Sequence, residues 1–415
     1  MTLLTALQIS HSDVHGARFT GFDHVAAYER CGVQLEFSVF DRQSSRSHWL
    51  GSGLFALFRR LPLRRIEHAL AIQSRIYPYS VELGRSQAFR SADVVHYHLI
   101  HTGYFSLLNL PQLTSVKPTL WSWHDPWPLT GHCIHPYECT RWQQGCGHCP
   151  DLRRSIRMRK DHTAFMWKLK RSLYARSCFD VVVTSQWMQN LVAQSPMAEL
   201  FKTHLIPFGI DLNVFRPMES ARARARLGIA ADSFVICFRS TIQLAKGLPL
   251  IMSALRRLEP SRPVCLLTFD KIGLLDEFTD RYRLVELGWV TEATSMVEAF
   301  SAADLFLMPS TAETFGMMAI EAMACGLPVV VCEGTALPEV VKAPHGGVTI
   351  SRNDAAGLVA AIARLMTDEP ERRHMGAHAR AIVLRDYGLD CHVRKMTELY
   401  REVNSRWAAD SACRS

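Results

Sequence analysis

The sequence predicts an α/β protein built from two doubly wound domains, on three observations. Short apolar runs rich in β-branched residues alternate with helical stretches, a pattern typical of parallel sheets flanked by helices. The chain has 415 residues, enough for two domains of ordinary size, and its hydrophobic content of 48% supplies their cores. A segment with two prolines and a glycine, 205–217, separates the chain into two domains. We therefore expect Rossmann-like domains at 1–212 and 213–389 that face a central cleft, with a C-terminal helix over 390–410 that packs back on the first domain.

Composition and charge narrow the class of protein further. No uninterrupted apolar run reaches the ~18 residues of a membrane-spanning helix, and the N-terminal stretch has neither a basic region nor a small-residue cleavage site. These absences predict a cytoplasmic protein. The net charge of +8 suits anionic partners such as nucleoside diphosphates or phospholipid head groups. Because no nucleic-acid-binding motif accompanies this charge, we do not expect a nucleic acid partner.

A strand–helix–strand unit in the second half carries the clearest chemistry. Apolar runs at 304–308 and 329–332 predict two buried strands, and helix formers over 314–325 predict the helix that joins them. In such parallel units, ligands bind at the carboxyl ends of the strands, beside the helix N-terminus. Glu313 precedes the helix. Glu321 lies within the helix, roughly two turns or ~10 Å beyond Glu313. Such carboxylates can bind sugar hydroxyls; alternatively, Glu313 favours the helix dipole and Glu321 lies on a solvated strip.

The residues around these glutamates resemble a known signature. The stretch PSTAETFGMMAIEAMACGLPVV, over 309–330, is similar to the donor site of glycosyltransferase family 4, whose members are retaining nucleotide-sugar transferases with the GT-B fold. The resemblance implies that Glu313 lies near the transferred sugar and that Glu321 holds the ribose hydroxyls of the nucleotide. The same helix N-terminus contributes the donor-binding residues Thr314, Phe315 and Gly316.

Two basic side chains are candidates for binding the donor diphosphate. Arg239 ends the apolar run 234–239, and Lys246 precedes the helix that follows, so both lie near the carboxyl end of a predicted strand. Cations placed there stabilise the charge that builds on the leaving phosphate, and the resemblance assigns an arginine and a lysine to that role. No DxD-type pair of carboxylates stands in a suitable loop, so we expect no catalytic metal.

Histidines and a glycine mark the strand ends of the first half. His124 opens a His-Asp step after the predicted strand 117–124, and the resemblance places the histidine of this step near the donor sugar, so His124 is the candidate for orienting the reacting centre. His96 and His98 share one face of another strand, as core or active-site polar residues or as metal ligands. Gly16 follows the first strand in a loop that the resemblance places under the diphosphate; an ordinary turn is the alternative.

Residues 130–152 form a cysteine-rich insertion. The two-residue gap between its last two cysteines is typical of a zinc knuckle, and in a reducing cytoplasm a closed structural zinc site is the expected use of four such thiols. Free buried thiols and redox disulfides are the alternatives. The segment looks like an insertion found in the polysaccharide-assembly branch of the same family. The candidate ligands are Cys133, Cys139, Cys146 and Cys149, with His132, His135 and His148 interleaved.

Two stretches of the first half combine basic, apolar and aromatic residues. Residues 54–77 contain five arginines and one acid, and residues 153–176 contain nine lysines and arginines and one acid. This composition is typical of surfaces that lie on anionic lipid, although solvated helix faces are the alternative. We therefore expect peripheral attachment to the inner face of the membrane, where a polyprenyl-linked acceptor would be available.

These features together predict a glycosyltransferase of the hexosyltransferase type. It would move a sugar from a nucleoside-diphosphate sugar to a hydroxyl of a glycan or lipid-linked acceptor, with retention, in cell-surface polysaccharide biosynthesis. The resemblance points to the branch that assembles exopolysaccharides such as colanic acid. A nucleotide-sugar epimerase on the same fold and a non-catalytic sugar-nucleotide-binding protein are the alternatives.

Overall fold

The structure is a computed structural model that describes residues 3–13, 24–154 and 156–412. Residue contacts divide the chain into two compact units. The first unit comprises Met1–Ile206 together with Val393–Ser415, and the second unit comprises Pro207–His392. The division therefore lies inside the segment 205–217, and the first unit is assembled from two separate parts of the chain.

The first unit is built on a parallel sheet. In the described residues its strands are ordered β3-β2-β1-β4-β5-β6-β7. The central strands are buried on both faces, with Leu7, Ile9, Val95 and Tyr97 fully enclosed, as expected where helices cover both sides of a parallel sheet. The strands are β1 (Leu4–Ser12), β2 (Val33–Asp41), β3 (His48–Trp49), β4 (Val94–Tyr97), β5 (Thr119–Ser122), β6 (Asp180–Val183) and β7 (Thr203–Leu205).

Helices of varied length connect these strands. Among the described residues before 206, the longest helix covers 12 residues and buries Met166, Trp167 and Leu173 against the core. The helices are α1 (Val25–Arg30), α2 (Ala56–Arg59), α3 (Leu63–Leu70), α4 (Tyr79–Arg85), α5 (Gln87–Ser91), α6 (Leu110–Thr114), α7 (Thr163–Tyr174) and α8 (Gln186–Ala193).

The second unit repeats the architecture with a parallel sheet ordered β10-β9-β8-β11-β12-β13. Its strands are β8 (Phe234–Ser240), β9 (Val264–Asp270), β10 (Arg283–Glu286), β11 (Leu305–Met308), β12 (Val329–Cys332) and β13 (Gly347–Ile350). Its helices are α9 (Ser220–Arg226), α10 (Leu248–Arg257), α11 (Ala293–Ala302), α12 (Met317–Ala324), α13 (Leu337–Val340), α14 (Ala355–Thr367) and α15 (Glu369–Asp386).

The last helix, α16 (Leu389–Ala412), runs from the second unit into the first. Its polar side chains reach several parts of the first unit. Arg401 Nη2 donates to the carbonyl of Cys31 at 2.7 Å, Glu402 accepts from Lys202 Nζ at 2.6 Å, and Arg406 Nη2 donates to Asp180 at 2.7 Å. Residues 393–412 are thus an integral part of the first unit.

The two parallel, doubly wound sheets confirm the predicted fold class. The strands expected at 304–308 and 329–332 are observed as β11 and β12. The strand β3 could not be predicted from the hydrophobic pattern, because two residues are too few to show an alternation. In the described ranges, no helix combines the length and the apolar character needed to span a bilayer.

Candidate functional site

The candidate donor site lies where the strand order of the second sheet reverses. β8 and β11 are neighbours, and the chain continues outward from β8 to β9 on one side and from β11 to β12 on the other. In open parallel sheets, ligands bind outside the carboxyl ends of the strands at such a switch point. Arg239 lies at that end of β8, and Glu313 follows β11, so the fold brings these two predicted residues to the same edge.

Arg239 is held by a carboxylate and faces an aromatic ring. Its Nε donates to Oδ2 of Asp270 at 2.8 Å, and its guanidinium carbon lies 5.9 Å from the ring centroid of Trp289. Asp270 has a φ of 93°, a region that residues other than glycine rarely occupy and that often marks a functional position. Trp289 is 69% exposed and offers a free aromatic face beside the arginine. Sequence reasoning missed both neighbours, although Asp270 ends β9 and Trp289 lies three residues beyond the end of β10.

Lys246 and Glu313 form an ion pair in this structure. Lys246 Nζ donates to Glu313 Oε1 at 2.6 Å, and the two side chains retain 26% and 13% exposure. The sequence assigned these residues to different parts of the donor, a phosphate for the lysine and the transferred sugar for the glutamate. Their direct contact indicates that the two parts of the predicted site are adjacent. Because both groups remain accessible, the lysine can exchange its carboxylate partner for a phosphate.

The loops that carry these residues are fastened together through their backbones. Thr311 N donates to the carbonyl of Ala245 at 2.8 Å. Gly247 has a φ of 87°, and a Cβ atom at this position would lie 2.5 Å from the carbonyl oxygen of Pro309. Only glycine satisfies both the left-handed conformation and this close approach. The contact fixes Lys246 relative to the loop after β11.

The N-terminus of α12 is set by Gly316 and anchored by Phe315. Gly316 is the N-cap in a left-handed conformation with φ 98°, which is why the helix begins at Met317 and not at Thr314, where the sequence predicts its start. Phe315 is buried and packs edge-to-face on Phe208, with ring centroids 5.3 Å apart. The positive end of the helix dipole therefore lies directly after Glu313 and Thr314, where it favours an anionic ligand.

Glu321 lies in the second turn of α12 with only 2% of its surface exposed. Its neighbours Ile320 and Ala322 are fully buried, so the structure does not place Glu321 on a solvated strip. Burial, followed by the charge of Glu321, raises the pKa of the Cys325 thiol to about 12. A carboxylate at this depth requires hydrogen-bond donors.

His124 lies in the first unit, two residues beyond β5. It is followed by Asp125, whose carboxylate lies 3.1 Å from Nε2 of His101 and accepts from Trp127 N at 2.9 Å. Burial lowers the pKa of His124 to about 4, against the opposing charge of Asp125. Burial would raise the pKa of Asp125, but the charge and hydrogen bond of His101 outweigh it and lower that pKa. At neutral pH His124 is therefore a neutral imidazole beside an ionised carboxylate.

The histidines of β4 and the loop after it connect to His124. His98 Nδ1 and His124 Nε2 are 2.8 Å apart, and His98 Nε2 lies 2.6 Å from Gln8 Oε1. His96 bonds to Ser122 Oγ at 2.8 Å. The described contacts therefore make His96 and His98 members of a buried polar network. Gly16, the remaining predicted donor-side position of this unit, lies outside the described residues.

The four cysteines of the insertion are free thiols in this structure. His132 Nε2 lies 3.2 Å from Cys149 Sγ, and Gly131 N donates to Cys146 Sγ at 3.2 Å. Burial raises the pKa of the Cys133 thiol and that of Cys149, and it raises the pKa of Cys146 to about 12. Within the described ranges, no three His, Cys, Asp or Glu side chains form a group that could hold a metal ion. The zinc site therefore stays a prediction.

One residue of the second basic stretch is not part of a surface. Lys170 is fully buried, and its Nζ donates to the carbonyls of Trp127 at 2.6 Å and Thr130 at 2.9 Å. The ammonium also lies 3.3 Å from the ring centroid of Trp127. Burial lowers the pKa of Lys170 to about 7. Counting Lys170 among the exposed basic residues was wrong, because a lysine on α7 can point either to solvent or into the loop beside Asp125.

Two family descriptions match this chain, one in each half. "Glycosyltransferase Family 4" matches residues 37–214, and "Glycosyl transferases group 1" matches residues 219–382. The second match contains Arg239, Lys246, Glu313 and Glu321, and the first contains His124.

Individual proteins are similar over different lengths. A protein named D-inositol 3-phosphate glycosyltransferase from Xylanimonas cellulosilytica is 30% identical over 226 residues, which cover 50% of this chain and 53% of that protein. The chain thus spans about half the length of this curated relative. Sucrose-phosphate synthase from Thermosynechococcus elongatus has the same fold, with a TM-score of 0.70, 20% identity and coverage of 98% and 100% of the two chains. The Anabaena protein HepE, solved in complex with UDP-glucose, gives a TM-score of 0.65 and 18% identity over 96% and 100%.

Proposed function

We infer that this chain is a glycosyltransferase of family 4 that transfers a glycosyl group from a nucleoside-diphosphate sugar to a hydroxyl with retention of configuration. The observation that carries this inference is the grouping of Arg239, Lys246 and Glu313 at the switch point of the second sheet. Two cations and a helix N-terminus at one edge form a binding site for a diphosphate.

Each residue of the donor site takes a part in this reaction. Arg239 and Lys246 bind the diphosphate and stabilise its charge as the glycosidic bond to the phosphate breaks. Glu313 lies against Lys246 and contacts the transferred sugar, and Glu321 accepts from the ribose hydroxyls. His124, neutral at pH 7, orients a hydroxyl of the donor sugar. HepE, which was solved in complex with UDP-glucose, supports a nucleotide-sugar donor, such as a UDP-sugar, for this chain.

A donor screen tests this function. The protein is incubated with UDP-, GDP- and ADP-sugars, and binding is followed as thermal stabilisation, which amounts to about 2.7 kcal/mol at a hundredfold excess over the dissociation constant. The donor that binds is then offered to a membrane extract, and the anomeric configuration of the product is determined by NMR. We expect transfer with retention. A new nucleotide sugar formed from donor alone would establish an epimerase, and binding without turnover would establish a binding protein.

We propose that the acceptor is a glycan or polyprenyl-linked sugar of a cell-surface polysaccharide, reached at an anionic membrane surface. The two basic stretches support this, because they pack together in the first unit. His162 Nδ1 bonds to the carbonyl of Leu70 at 3.1 Å, and the guanidinium carbon of Arg75 lies 5.3 Å from the ring centroid of Phe165. Stretches some ninety residues apart thus form one surface.

This joint surface exposes apolar and basic groups side by side. The exposed fractions of Leu57, Leu61 and Leu70 are 63%, 50% and 52%, and that of Phe165 is 48%. Large apolar side chains that are exposed together with cations are typical of segments that insert shallowly into anionic lipid. The exposed basic residues of the two stretches are Arg60, Arg64, Arg65, Arg153, Arg157, Arg159, Lys160, Lys168, Arg171 and Arg176.

Replacing Arg64, Arg65 and Lys168 together by alanine should weaken binding to anionic vesicles roughly a hundredfold, because each cation near such a surface contributes about 1 kcal/mol. Sedimentation with phosphatidylglycerol-containing vesicles measures the effect. A variant with alanine at the exposed residues Arg222, Arg257 and Arg373 of the second unit has the same net charge and should bind like the parent. Equal binding of the parent to neutral and anionic vesicles would exclude this role for the surface.

We also propose one structural zinc ion at the cysteine-rich insertion. Support comes from the spacing of Cys146 and Cys149 and from the contact of His132 with Cys149. Binding requires the thiols to lose their protons and rotate toward one another. Elemental analysis of protein purified without chelator should find about one zinc per chain, and Cys149→Ser should lose it while Cys178→Ser keeps it. If the parent protein contained less than about a tenth of an equivalent of zinc, the four cysteines would be free thiols and the zinc proposal would be wrong.

A further inference from the structure

A chain of hydrogen bonds joins His124 to the last helix of the protein. His124 Nε2 contacts His98 Nδ1 at 2.8 Å, and His98 Nε2 contacts Gln8 Oε1 at 2.6 Å. Gln8 Nε2 in turn donates to the hydroxyl of Tyr400 at 2.6 Å. Gln8, His98 and Tyr400 are all 3% exposed or less, so the bonds between them do not exchange with solvent. All four residues belong to the first unit.

The chain continues beyond Tyr400 to a second histidine. The Tyr400 hydroxyl lies 2.8 Å from His96 Nδ1, and His96 Nε2 lies 2.8 Å from Ser122 Oγ. Tyr400 has one proton to donate, and its oxygen already accepts from the Gln8 amide. With the Gln8 nitrogen donating to it, the hydroxyl has its own proton available for His96 Nδ1, and in this arrangement His96 carries its proton on Nε2.

With Gln8 Nε2 donating to Tyr400, the direction of each hydrogen bond up to His124 follows. The carbonyl oxygen of Gln8 can only accept, so His98 carries its proton on Nε2. With its ring proton on Nε2, His98 offers Nδ1 as an acceptor, and His124 Nε2 donates to it. Since the lowered pKa keeps His124 neutral, it has a single ring proton, and the lone pair lies on Nδ1. Turning the Gln8 amide by 180° would reverse each bond and leave His124 with a proton on Nδ1.

We propose that Gln8 and Tyr400 are positioning residues that, through His98, fix the tautomer in which His124 presents Nδ1 as a hydrogen-bond acceptor. Tyr400 holds the amide of Gln8 in one orientation, and this orientation determines which ring nitrogen of His98 carries the proton. With Nδ1 as the acceptor, His124 selects donor sugars that offer it a hydroxyl proton. This consequence rests on the proposed glycosyltransferase function, whereas the tautomer itself does not.

The tautomer can be measured directly in the donor-free protein. In protein labelled with ¹⁵N-histidine, the two ring nitrogens of a neutral imidazole have distinct chemical shifts, and His124→Gln identifies the signals of His124. We expect a protonated Nε2 in the parent. In Gln8→Met, which is similar in volume but cannot relay the bond, we expect the Nδ1-protonated form to become populated. A parent with its proton on Nδ1, or an unchanged tautomer in Gln8→Met, would overturn the proposal.

Tyr400→Phe provides a milder second test, since it removes one oxygen and frees the Gln8 amide to turn. It should also populate the Nδ1-protonated tautomer, and it decides the matter if Gln8→Met does not fold. Tyr97→Phe is the matched control. Tyr97 is a fully buried tyrosine of β4 whose hydroxyl has no hydrogen-bond partner among the described residues, so its loss should leave the tautomer unchanged. An equal response to Tyr97→Phe would contradict the relay.

Turnover then connects the tautomer to function. We expect Gln8→Met and Tyr400→Phe to lower kcat on the order of tenfold to a hundredfold with nucleotide affinity unchanged, because misorientation of a group at the reacting centre has effects of this size. The nucleotide-binding residues proposed above belong to the second unit and are untouched by either change. A tautomer shift without any change in kcat would overturn the link to the donor sugar while leaving the relay in place. A failure of the glycosyltransferase function itself would appear as an inactive parent with the expected tautomer.

Discussion

Replacing Lys246 or Arg239 by alanine should lower kcat by about 10²–10³-fold while the protein remains folded. Both side chains lie at the ligand-binding edge of the second sheet, and each is partly exposed, so truncation removes charge without opening the core. Loss of a preorganised group that stabilises charge on a leaving phosphate costs about 3–4 kcal/mol of transition-state stabilisation. Turnover with saturating donor, together with a thermal unfolding curve for each variant, measures the effect.

Arg256→Ala is the control for these two variants. Arg256 is an exposed arginine of α10 that pairs with Glu277 at 2.7 Å, away from the switch point, so its loss should leave turnover within about twofold of the parent. Near-normal turnover of both Lys246→Ala and Arg239→Ala would exclude the assignment of the diphosphate to this edge.

Glu313→Gln separates the two roles of the ion pair. In the structure Glu313 neutralises Lys246, so its carboxylate competes with a phosphate for the lysine. The glutamine variant should therefore bind nucleoside diphosphate at least as tightly as the parent, while transfer falls because the carboxylate near the sugar is lost. Isothermal titration with the free diphosphate and a turnover assay give the two quantities independently. Weaker binding together with normal turnover would contradict both roles.

Gly247→Ala should lower the free energy of unfolding by about 2–5 kcal/mol. The residue has a left-handed φ of 87°, and an added Cβ would lie 2.5 Å from the carbonyl oxygen of Pro309, a backbone atom that cannot move aside cheaply. The left-handed conformation costs roughly 1–2 kcal/mol in a residue with a Cβ, and the crowding adds typically 1–3 kcal/mol. Denaturant unfolding measures the loss, and turnover should fall with it because Lys246 is displaced from Glu313.

Gly228→Ala separates the cost of steric crowding by the added Cβ from the cost of the left-handed backbone conformation. Gly228 also has a left-handed φ, of 64°, but its added Cβ would meet no atom within 4 Å. This control should lose only the roughly 1–2 kcal/mol of the conformational term and keep its turnover. If the two alanine variants were equally stable and equally active, the close approach of the two loops would have no role in holding the site.

The candidate donor site was accessible to sequence reasoning because its residues lie near the ends of predicted strands or on the helix that follows. Arg239, Glu313 and Glu321 are each identified by a position relative to a strand or helix that the apolar pattern predicts. Asp270, the partner of Arg239, could not be identified in this way, because it belongs to another strand and sequence spacing does not show which strands are neighbours. The same limit applies to Gln8 and Tyr400, which are 392 positions apart in the chain. Contacts of this kind depend on tertiary packing and leave no local periodicity.

Burial of charged residues was the other quantity that the sequence did not determine. Lys170 and Lys168 lie on one helix in the same basic stretch, yet Lys170 is fully buried and Lys168 is exposed. The helical period separates them by about 200° around the axis, so they lie on nearly opposite faces of the helix and only one of them can face solvent. Choosing which one requires knowledge of the loop it packs against, here the carbonyls of Trp127 and Thr130.

The placement of α16 has a consequence for how the chain is made. The first unit needs residues 393–412, whose Arg401, Glu402 and Arg406 bond to its helix ends and strands. During synthesis these residues leave the ribosome after the whole of the second unit, 207–392. The second unit is contiguous and can fold as soon as it emerges, whereas the first must wait, with Tyr28 and other helix-facing residues uncovered, until the final helix is translated. We therefore expect the N-terminal half to remain incompletely packed, with apolar surface exposed, until residues 393–412 have been synthesised.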